Sequence, residues 1–228
     1  MQDGISIIMP AYNEERCLRD SVKSAISAAH LYGSDYEVII VNDGSTDRTG
    51  NIAEMISKEF PCIVALHNPG NLGMGGAFKT GLQSAKFSHV ILFAADSEHN
   101  AESVAPILSL RGSADMIIPY VENPEIRPSH RQYISNIYTW LINGIFFQKI
   151  PYYNGLVLYK TEQVRKVNIK TNSFSFQTEA ILKLLKGKAS WKPVACSLQK
   201  GGHTKTKAFR LKNIIGVGWT ILRLRVAL

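Results

Sequence analysis

Residues 37–47 read EVIIVNDGSTD, an apolar run followed at once by a short polar turn. The run is rich in Val and Ile, as is typical of a strand buried on both faces of a sheet. Ser45 or Thr46 is placed to cap a helix that continues to Ile56. A strand, a turn and a helix in immediate succession predict one βα unit of a mostly parallel sheet.

The same alternation continues along the chain. Helices are predicted from Asn13 to about Ala29 and over residues 74–85. The pattern loosens after Tyr120, where residues 133–147 are typical of an apolar helix and 155–159 of a further strand. The strands predicted in the first half are residues 5–9, 37–41, 62–67, 90–93 and 116–119. We therefore predict an α/β fold, with a Rossmann-like, mostly parallel sheet flanked by helices.

Composition favours a single compact domain. The chain has 228 residues, of which 45% are hydrophobic and 19% charged, which excludes a disordered tail and a disulfide-held mini-protein. Its three cysteines are far apart and have no metal-ligand spacing, which favours a reducing compartment. The N-terminus lacks the pattern of a secretory signal, so a cytoplasmic location is expected.

Basic residues are concentrated near the C-terminus. The net charge is +8, and residues 200–225 contain no Asp or Glu. Apolar residues alternate with the basic ones, so residues 211–228 are predicted to form an amphipathic helix that contacts the cytoplasmic face of a membrane. The alternative is a terminal helix packed on the core. Nucleic-acid binding has no supporting motif. The basic residues of this region are Lys200, Lys205, Lys207, Arg210, Lys212, Arg223 and Arg225.

Polar residues follow each of the first four predicted strands, at the edge where open parallel sheets bind ligands. A glycine cluster follows the third strand and begins a helix whose backbone N–H groups are suited to face a diphosphate. The cluster lacks the dinucleotide fingerprint and the Gly-Lys-Ser/Thr ending of a P-loop, which disfavours hydride transfer and ATP hydrolysis. The glycines are Gly70, Gly73, Gly75 and Gly76.

Three segments together resemble glycosyltransferase family 2: PAYNE at 10–14, VNDGSTD at 41–47 and NLGMGGA at 71–77. With GHTK at 202–205, the chain is most similar to the dolichyl-phosphate mannosyltransferase and polyprenyl-phosphate glycosyltransferase branch. The resemblance implies a GT-A fold, a nucleotide-sugar donor and inversion at the anomeric carbon.

The resemblance also implies site residues in the donor half. Ala11, Tyr12 and Glu14 would line the nucleoside pocket, and Asp43 would bind the base, although a plain capped turn is the alternative for Asp43. The full set expected to bind the nucleotide-sugar is Pro10, Ala11, Tyr12, Glu14, Asp43, Gly73, Lys79 and Asp96.

A divalent metal, Mg²⁺ or Mn²⁺, is implied at the end of the fourth strand. Asp96 would stand near the donor diphosphate and hold the metal with help from Glu98. The family pattern has a further carboxylate where this chain has Ala94. The departure weakens the expected metal dependence.

The acceptor decides which further groups are needed. A lipid phosphate is already anionic and needs only cationic positioning, for which Arg131, Lys205 and Lys207 are candidates. A hydroxyl acceptor would need a general base, and Glu179 is the candidate, being otherwise a first-turn helix residue favoured by the helix dipole.

The preferred hypothesis is an inverting transfer of a hexose from a UDP- or GDP-sugar to a polyprenyl or dolichyl phosphate. The alternatives are transfer to a saccharide hydroxyl in cell-surface polysaccharide synthesis, and a catalytically weakened nucleotide-sugar-binding protein. The predicted organisation is a catalytic domain over 1–210, divided into a nucleotide-sugar half (1–120) and an acceptor half (121–210), with the amphipathic segment at 211–228.

Overall fold

A computed structural model describes residues 1–31, 35–95, 101–198 and 211–227. Seven strands form one sheet in the order β3-β2-β1-β4-β6-β5-β7. All neighbouring strands are parallel except β6, which runs antiparallel to β4 and β5. The strands are β1 (Gln2–Ala11), β2 (Tyr36–Asn42), β3 (Ile63–His67), β4 (Phe87–Leu92), β5 (Met116–Val121), β6 (Leu158–Lys160) and β7 (Trp191–Cys196).

Helices cover both faces of this sheet. They are α1 (Leu18–Leu31), α2 (Thr49–Glu59), α3 (Met74–Ser84), α4 (Ala101–Ser109), α5 (Ser129–Phe146), α6 (Thr161–Lys166), α7 (Phe176–Lys186) and α8 (Leu211–Ala227), with a short 3₁₀ turn at Pro124–Ile126.

The central strands are buried because successive side chains enter two different cores. In β2, Val38 and Ile40 pack in the core shared with α1, α2 and α4, whereas Ile39 and Val41 pack in the core shared with α3 and α7. Alternate residues of a strand point to opposite faces. A continuous apolar run is therefore needed wherever helices cover both faces.

The predicted α/β class and the five strands of the first half are confirmed. The strand predicted at 155–159 is only Leu158–Lys160, and it is inserted antiparallel between β4 and β5. The predicted division near residue 120 therefore does not divide the sheet. Helix α4 and strand β7 are not among the predicted elements. An internal proline, Pro106, interrupts the helical signal of α4, and Pro193 that of the β7 strand.

The parallel arrangement determines where polar residues collect. Strands β1, β2, β3, β4 and β5 all point the same way, so their C-terminal ends lie at one edge of the sheet. The polar clusters predicted after β1, β2 and β3 are therefore brought to that edge, whereas the polar residues predicted after β4, from Asp96 on, lie outside the described residues.

Candidate functional site

The loops after β1 and β2 meet because these strands are paired up to their last residues. Ala11 lies opposite Asn42 in the ladder, and the backbone N–H of Asp43 donates to the carbonyl oxygen of Ala11 over 2.9 Å. Pro10 and Ala11 are buried in the strand, and Tyr12 is half-buried just beyond it. The structure thus brings these predicted donor-site residues together.

Asn13 joins the two loops. Its side-chain oxygen accepts a hydrogen bond from the backbone N–H of Thr46 at 2.8 Å, and its own N–H donates to the Ser45 hydroxyl at 3.1 Å. Its φ of 57° is left-handed, which asparagine tolerates better than most residues. The predictions that Asn13 caps the first helix and that Ser45 or Thr46 caps the second are wrong. Their polar groups connect the loops, α1 begins only at Leu18, and the N-cap position of α2 is Arg48.

Asp47 fixes the start of α2. Its carboxylate accepts hydrogen bonds from the backbone N–H groups of Thr49 at 2.9 Å and Glu15 at 3.3 Å. Burial opposes ionisation of this carboxyl, but the hydrogen bonds from Thr49 and Glu15 outweigh it and lower the pKa of Asp47 below its usual 3.8. The N–H of Glu14, another predicted donor-site residue, donates to the Thr49 hydroxyl at 2.8 Å. The backbone at Glu14 is therefore fastened to α2.

Asp43 connects β2 to the glycine-rich loop. It is 3% exposed, and its carboxylate accepts three hydrogen bonds: from Asn68 Nδ2 at 2.7 Å, from the Leu72 N–H at 3.0 Å and from the Gly73 N–H at 2.8 Å. An ionised carboxylate has about four acceptor positions. Most of this capacity is spent inside the protein, so Asp43 orders the loop, and its contact with a nucleobase stays a prediction.

The glycines of this loop permit close packing. At Gly44, φ is +70°, and a Cβ there would lie 2.5 Å from the carbonyl carbon of Gly70. At Gly75, a Cβ would lie 2.7 Å from the Cβ of Phe176 and 2.8 Å from the carbonyl oxygen of Thr171. A methyl group at Gly44 would push the turn after β2 away from the glycine-rich loop. A methyl group at Gly75 would push α3 away from α7.

The expectation that this cluster offers its N–H groups to a diphosphate needs correction at two positions. The N–H of Gly73 donates to Asp43, and that of Gly75 donates to the carbonyl oxygen of Asn172 at 2.9 Å. These two donors at the start of α3 are therefore used within the protein.

The predicted metal ligands follow β4. Ala94 and Ala95 are described there and contribute no side-chain oxygen, while Asp96 and Glu98 lie outside the described residues. Across the residues that the structure describes, no group of three or more His, Cys, Asp or Glu is placed to hold a metal ion. The role of Asp96 and Glu98 as metal ligands therefore stays a prediction.

Of the cationic residues predicted for the site, the structure describes Arg131 and Lys79. Arg131 lies in the first turn of α5, and Lys205 and Lys207 lie outside the described residues. Lys79 Nζ donates to the carbonyl oxygen of Ile169 at 3.3 Å. Burial lowers the pKa of Lys79; the charge of Glu179 opposes this shift, and that of Arg223 adds to it. Lys79 thus belongs to the surroundings of Glu179.

Glu179 is completely buried, and both of its oxygens are fully bonded. Oε1 accepts from Lys183 Nζ at 2.7 Å and the Lys170 N–H at 3.0 Å. Oε2 accepts from Arg223 Nη2 at 2.8 Å and the Thr171 N–H at 2.9 Å. Burial acts to raise its pKa, but the hydrogen bonds from Lys183, Lys170 and Thr171 lower it below 4.5. This environment is that of a structural anion, which argues against the predicted role of a general base.

A recess lies at the C-terminal end of β5, on the same edge of the sheet as the loops after β1 and β2. Here Nη1 of Arg127 donates to the Tyr152 hydroxyl at 3.0 Å. Arg127 was not among the predicted site residues, because it falls in a polar connection without periodicity. The nearby segments that line the recess contribute Pro119, Tyr120, Tyr152, Asn154 and Gly155.

Helices α5 and α8 contact each other and expose large apolar side chains. On α5, Tyr138, Ile142 and Phe146 face the core at helical spacing, yet Trp140 is 75% exposed. On α8, Trp219 is 66% exposed. We call the exposed set the apolar face: Tyr133, Ile134, Ile137, Trp140 and Leu141 of α5, with Trp219, Leu222 and Val226 of α8. Among the described residues, none of the helices has the length and hydropathy to span a membrane.

Comparison with known proteins agrees with this architecture. A family model described as glycosyl transferase family 2 matches residues 6–170. The chain is 25% identical to glycosyltransferase AglD of Haloferax volcanii over 96% of its own length and 36% of that protein. It is 24% identical to dolichol-phosphate mannosyltransferase of Pyrococcus furiosus over 89% of its length and 59% of that protein. The chain thus spans between a third and three fifths of these relatives.

Solved structures show the same fold. Glucosyl-3-phosphoglycerate synthase from Mycobacterium tuberculosis, in complex with Mn²⁺, UDP and phosphoglyceric acid, superposes with a TM-score of 0.72 and 14% identity over 98% of this chain and 78% of that one. The family match covers most of the chain, including the loops after β1, β2 and β3. This chain belongs to glycosyl transferase family 2.

Proposed function

We propose that this domain transfers a hexose from a UDP- or GDP-sugar to a polyprenyl or dolichyl phosphate, with inversion at the anomeric carbon. Support for the donor comes from the edge of the sheet, where the loops after β1, β2 and β3 are tied together around Asp43. Support for the acceptor class comes from relatives such as the Pyrococcus furiosus dolichol-phosphate mannosyltransferase.

The observation that carries the acceptor choice is the state of Glu179. A saccharide hydroxyl must lose a proton to a base as it attacks the sugar. Glu179 was the candidate base, but its carboxylate is buried and accepts four hydrogen bonds, two of them from cationic side chains. A phosphate acceptor is an anion at neutral pH and needs no such base. The structure therefore favours a phosphate acceptor over a hydroxyl.

Cationic side chains would position the acceptor phosphate opposite the leaving nucleotide. Arg131 lies in the first turn of α5, and Arg127 lies near the end of β5 with Tyr152. Lys205 and Lys207 are kept as further candidates from the sequence. A guanidinium binds phosphate oxygens through two parallel hydrogen bonds, which fixes direction as well as charge.

A divalent metal completes the proposed donor site. Mg²⁺ or Mn²⁺ would be held by Asp96, with Glu98, and would neutralise charge that develops on the leaving diphosphate. Ala94 removes one carboxylate from the family pattern. We therefore propose that oxygens of the donor phosphates supply more of the metal ligands here than in a site that also has a carboxylate at position 94.

The apolar face is proposed to seat the domain on the cytoplasmic face of a membrane. It exposes aromatic side chains such as Tyr133, Trp140 and Trp219, which favour the headgroup region. The sequences of α5 and α8 contain no acidic residue, whereas α8 carries Arg223 and Arg225. Anionic headgroups fit this charge distribution. The proposal extends the predicted membrane contact of 211–228 to α5.

The test combines binding with product analysis. Calorimetric titration of UDP and GDP with and without Mn²⁺ is expected to show metal-dependent binding of one nucleotide, which Asp96→Asn reduces and Ser97→Ala leaves intact. The matching radiolabelled sugar donor is then incubated with polyprenyl phosphate or with an oligosaccharide. Label that extracts into organic solvent supports the proposal. Label on the oligosaccharide establishes the hydroxyl alternative, and binding without transfer establishes a nucleotide-sugar-binding protein.

A further inference from the structure

Helix α8 packs against the acceptor half through buried residues and binds it through the side chains of Thr220 and Arg223. Leu224 and Thr220 are 1% and 3% exposed, and the Thr220 hydroxyl lies 3.4 Å from that of Thr171. Arg223 Nη2 donates to Glu179 Oε2 at 2.8 Å. The neighbouring Arg225 is exposed. One face of α8 is thus held by Glu179 and the 170–173 segment, while Trp219 and Leu222 remain exposed.

Glu179, which binds α8 through Arg223, also binds the 170–173 segment. The carboxylate of Glu179 also accepts hydrogen bonds from the backbone N–H groups of Lys170 and Thr171, at 3.0 and 2.9 Å. A single buried carboxylate therefore holds both α8 and this segment. A buried anion needs such partners, because an unpaired charge in the interior is strongly unfavourable.

The same segment fixes the start of α3. The carbonyl oxygen of Asn172 accepts a hydrogen bond from the Gly75 N–H at 2.9 Å. A Cβ at Gly73 would lie 2.7 Å from that same oxygen. The Gly73 N–H in turn donates to Asp43 at 2.8 Å. A continuous series of close contacts thus runs from Arg223 to the donor edge of the sheet.

We propose that the Glu179–Arg223 pair is a positioning device that couples the seating of α8 to the order of the glycine-rich donor loop. On this view Glu179 is a positioning residue and not a catalytic one. Binding of the exposed face of α8 to an anionic lipid surface holds Arg223 on Glu179, and the 170–173 segment then keeps the loop in its nucleotide-binding arrangement. The donor affinity of the domain is therefore regulated by contact with a lipid surface. This regulation rests on the proposed function.

The first test measures the coupling without any nucleotide. Amide hydrogen exchange is followed in peptides that span 72–77 and 170–173, in the wild-type chain and in Arg223→Met and Arg225→Met. Both variants remove one positive charge from α8, so they are matched in bulk electrostatics. Arg223→Met is expected to raise the exchange rates of both segments about fivefold or more, and Arg225→Met to leave them unchanged. Equal rates in the two variants would overturn the inference.

The second test measures nucleotide affinity with and without vesicles that contain anionic phospholipid. The wild-type chain is expected to bind its nucleotide several-fold more tightly with vesicles, whereas Arg223→Met binds about tenfold more weakly and loses the response to vesicles. Without vesicles, Arg225→Met is expected to bind nucleotide as tightly as the wild type. Arg223→Lys keeps a cation at Glu179 and should restore most of the affinity, which separates positioning from a general folding defect. An Arg223→Met response equal to that of the wild type contradicts the coupling.

The two proposals fail in different ways. If the wild-type chain binds neither UDP nor GDP, the proposed function is wrong, and the exchange measurement still decides whether α8 and the loop are coupled. If nucleotide binds and the exchange rates do not respond to Arg223→Met, the proposed function stands and the coupling is wrong.

Discussion

The carboxylate of Asp43 accepts a hydrogen bond at 2.8 Å from the backbone N–H of Gly73, the residue at which the glycine-rich loop becomes a helix. The contact joins the ends of two different βα units, 30 residues apart in the chain. It explains how a polar turn after β2 and a glycine cluster after β3 form one surface. This edge of the sheet, where we propose that the donor binds, is thus organised by a buried carboxylate.

Replacing Asp43 is expected to damage stability and binding together. Asp43→Ala leaves Asn68 Nδ2 and the N–H groups of Leu72 and Gly73 without their acceptor, and each buried unsatisfied group costs about 1–3 kcal/mol. We expect a loss of about 2–4 kcal/mol in the free energy of unfolding by urea and at least tenfold weaker nucleotide binding by calorimetry. Asp35→Ala, at an exposed residue, is the control. Unchanged binding in Asp43→Ala would refute the role assigned to this carboxylate.

Gly44 is expected to tolerate no side chain. Gly44→Ala introduces strain at φ +70° and a Cβ at 2.5 Å from the carbonyl carbon of Gly70. Gly112 has a similar φ of +78°, but a Cβ there meets nothing within 4 Å. We expect Gly112→Ala to cost about 1 kcal/mol through strain alone, and Gly44→Ala to cost more. Denaturant midpoints of the two variants measure the difference, and equal values would mean that the loops do not pack as described.

The apolar face makes a specific prediction about membranes. Ile137 and Trp140 are 45% and 75% exposed on α5. The double variant Ile137→Ser with Trp140→Ser is expected to reduce co-sedimentation with anionic vesicles by about tenfold or more, because two large apolar side chains lose their favourable burial in lipid. Met55→Ser removes a 51% exposed apolar residue from α2 and should have no effect. Equal losses in both variants would indicate non-specific adsorption.

The lowered pKa of Asp115 predicts that the folded protein loses stability in acid. Hydrogen bonds from Ser190, together with Lys160, lower the pKa of Asp115 from 3.8 to about 2. Through these two partners its carboxylate, just before β5, joins the start of β7 and the end of β6. Because its folded-state pKa is depressed, its contribution to stability is complete above pH 3.8 and is lost as the pH falls towards 2.

The variant Asp115→Asn tests the direction of this pH dependence of stability. It should unfold at lower denaturant than the wild type at pH 7, and the gap should close as the pH falls from 4 to 2. Glu125→Gln, at an exposed residue, serves as the control. A gap that stays constant with pH would show that the ionisation of Asp115 does not contribute to stability.

Local patterns predicted the strands of the first half of the fold but missed α4 there and part of the second half. Strands such as β2 are continuous apolar runs that end in glycine or polar turns, and these features survive in any tertiary context. Strand β6 has only three residues, and α4 and β7 each contain a proline. Their identity depends on pairing with distant segments, which periodicity does not record.

The sequence by itself determined the βα order, the edge where polar residues collect and the family. The tertiary structure decided what the individual groups do. Asp43 and Glu179 are both carboxylates in polar-looking contexts, yet the fold buries each one and surrounds it with hydrogen-bond donors from remote segments. A residue's chemistry depends on which partners reach it and how much water remains. Both of these depend on long-range packing, which no local stretch of sequence contains.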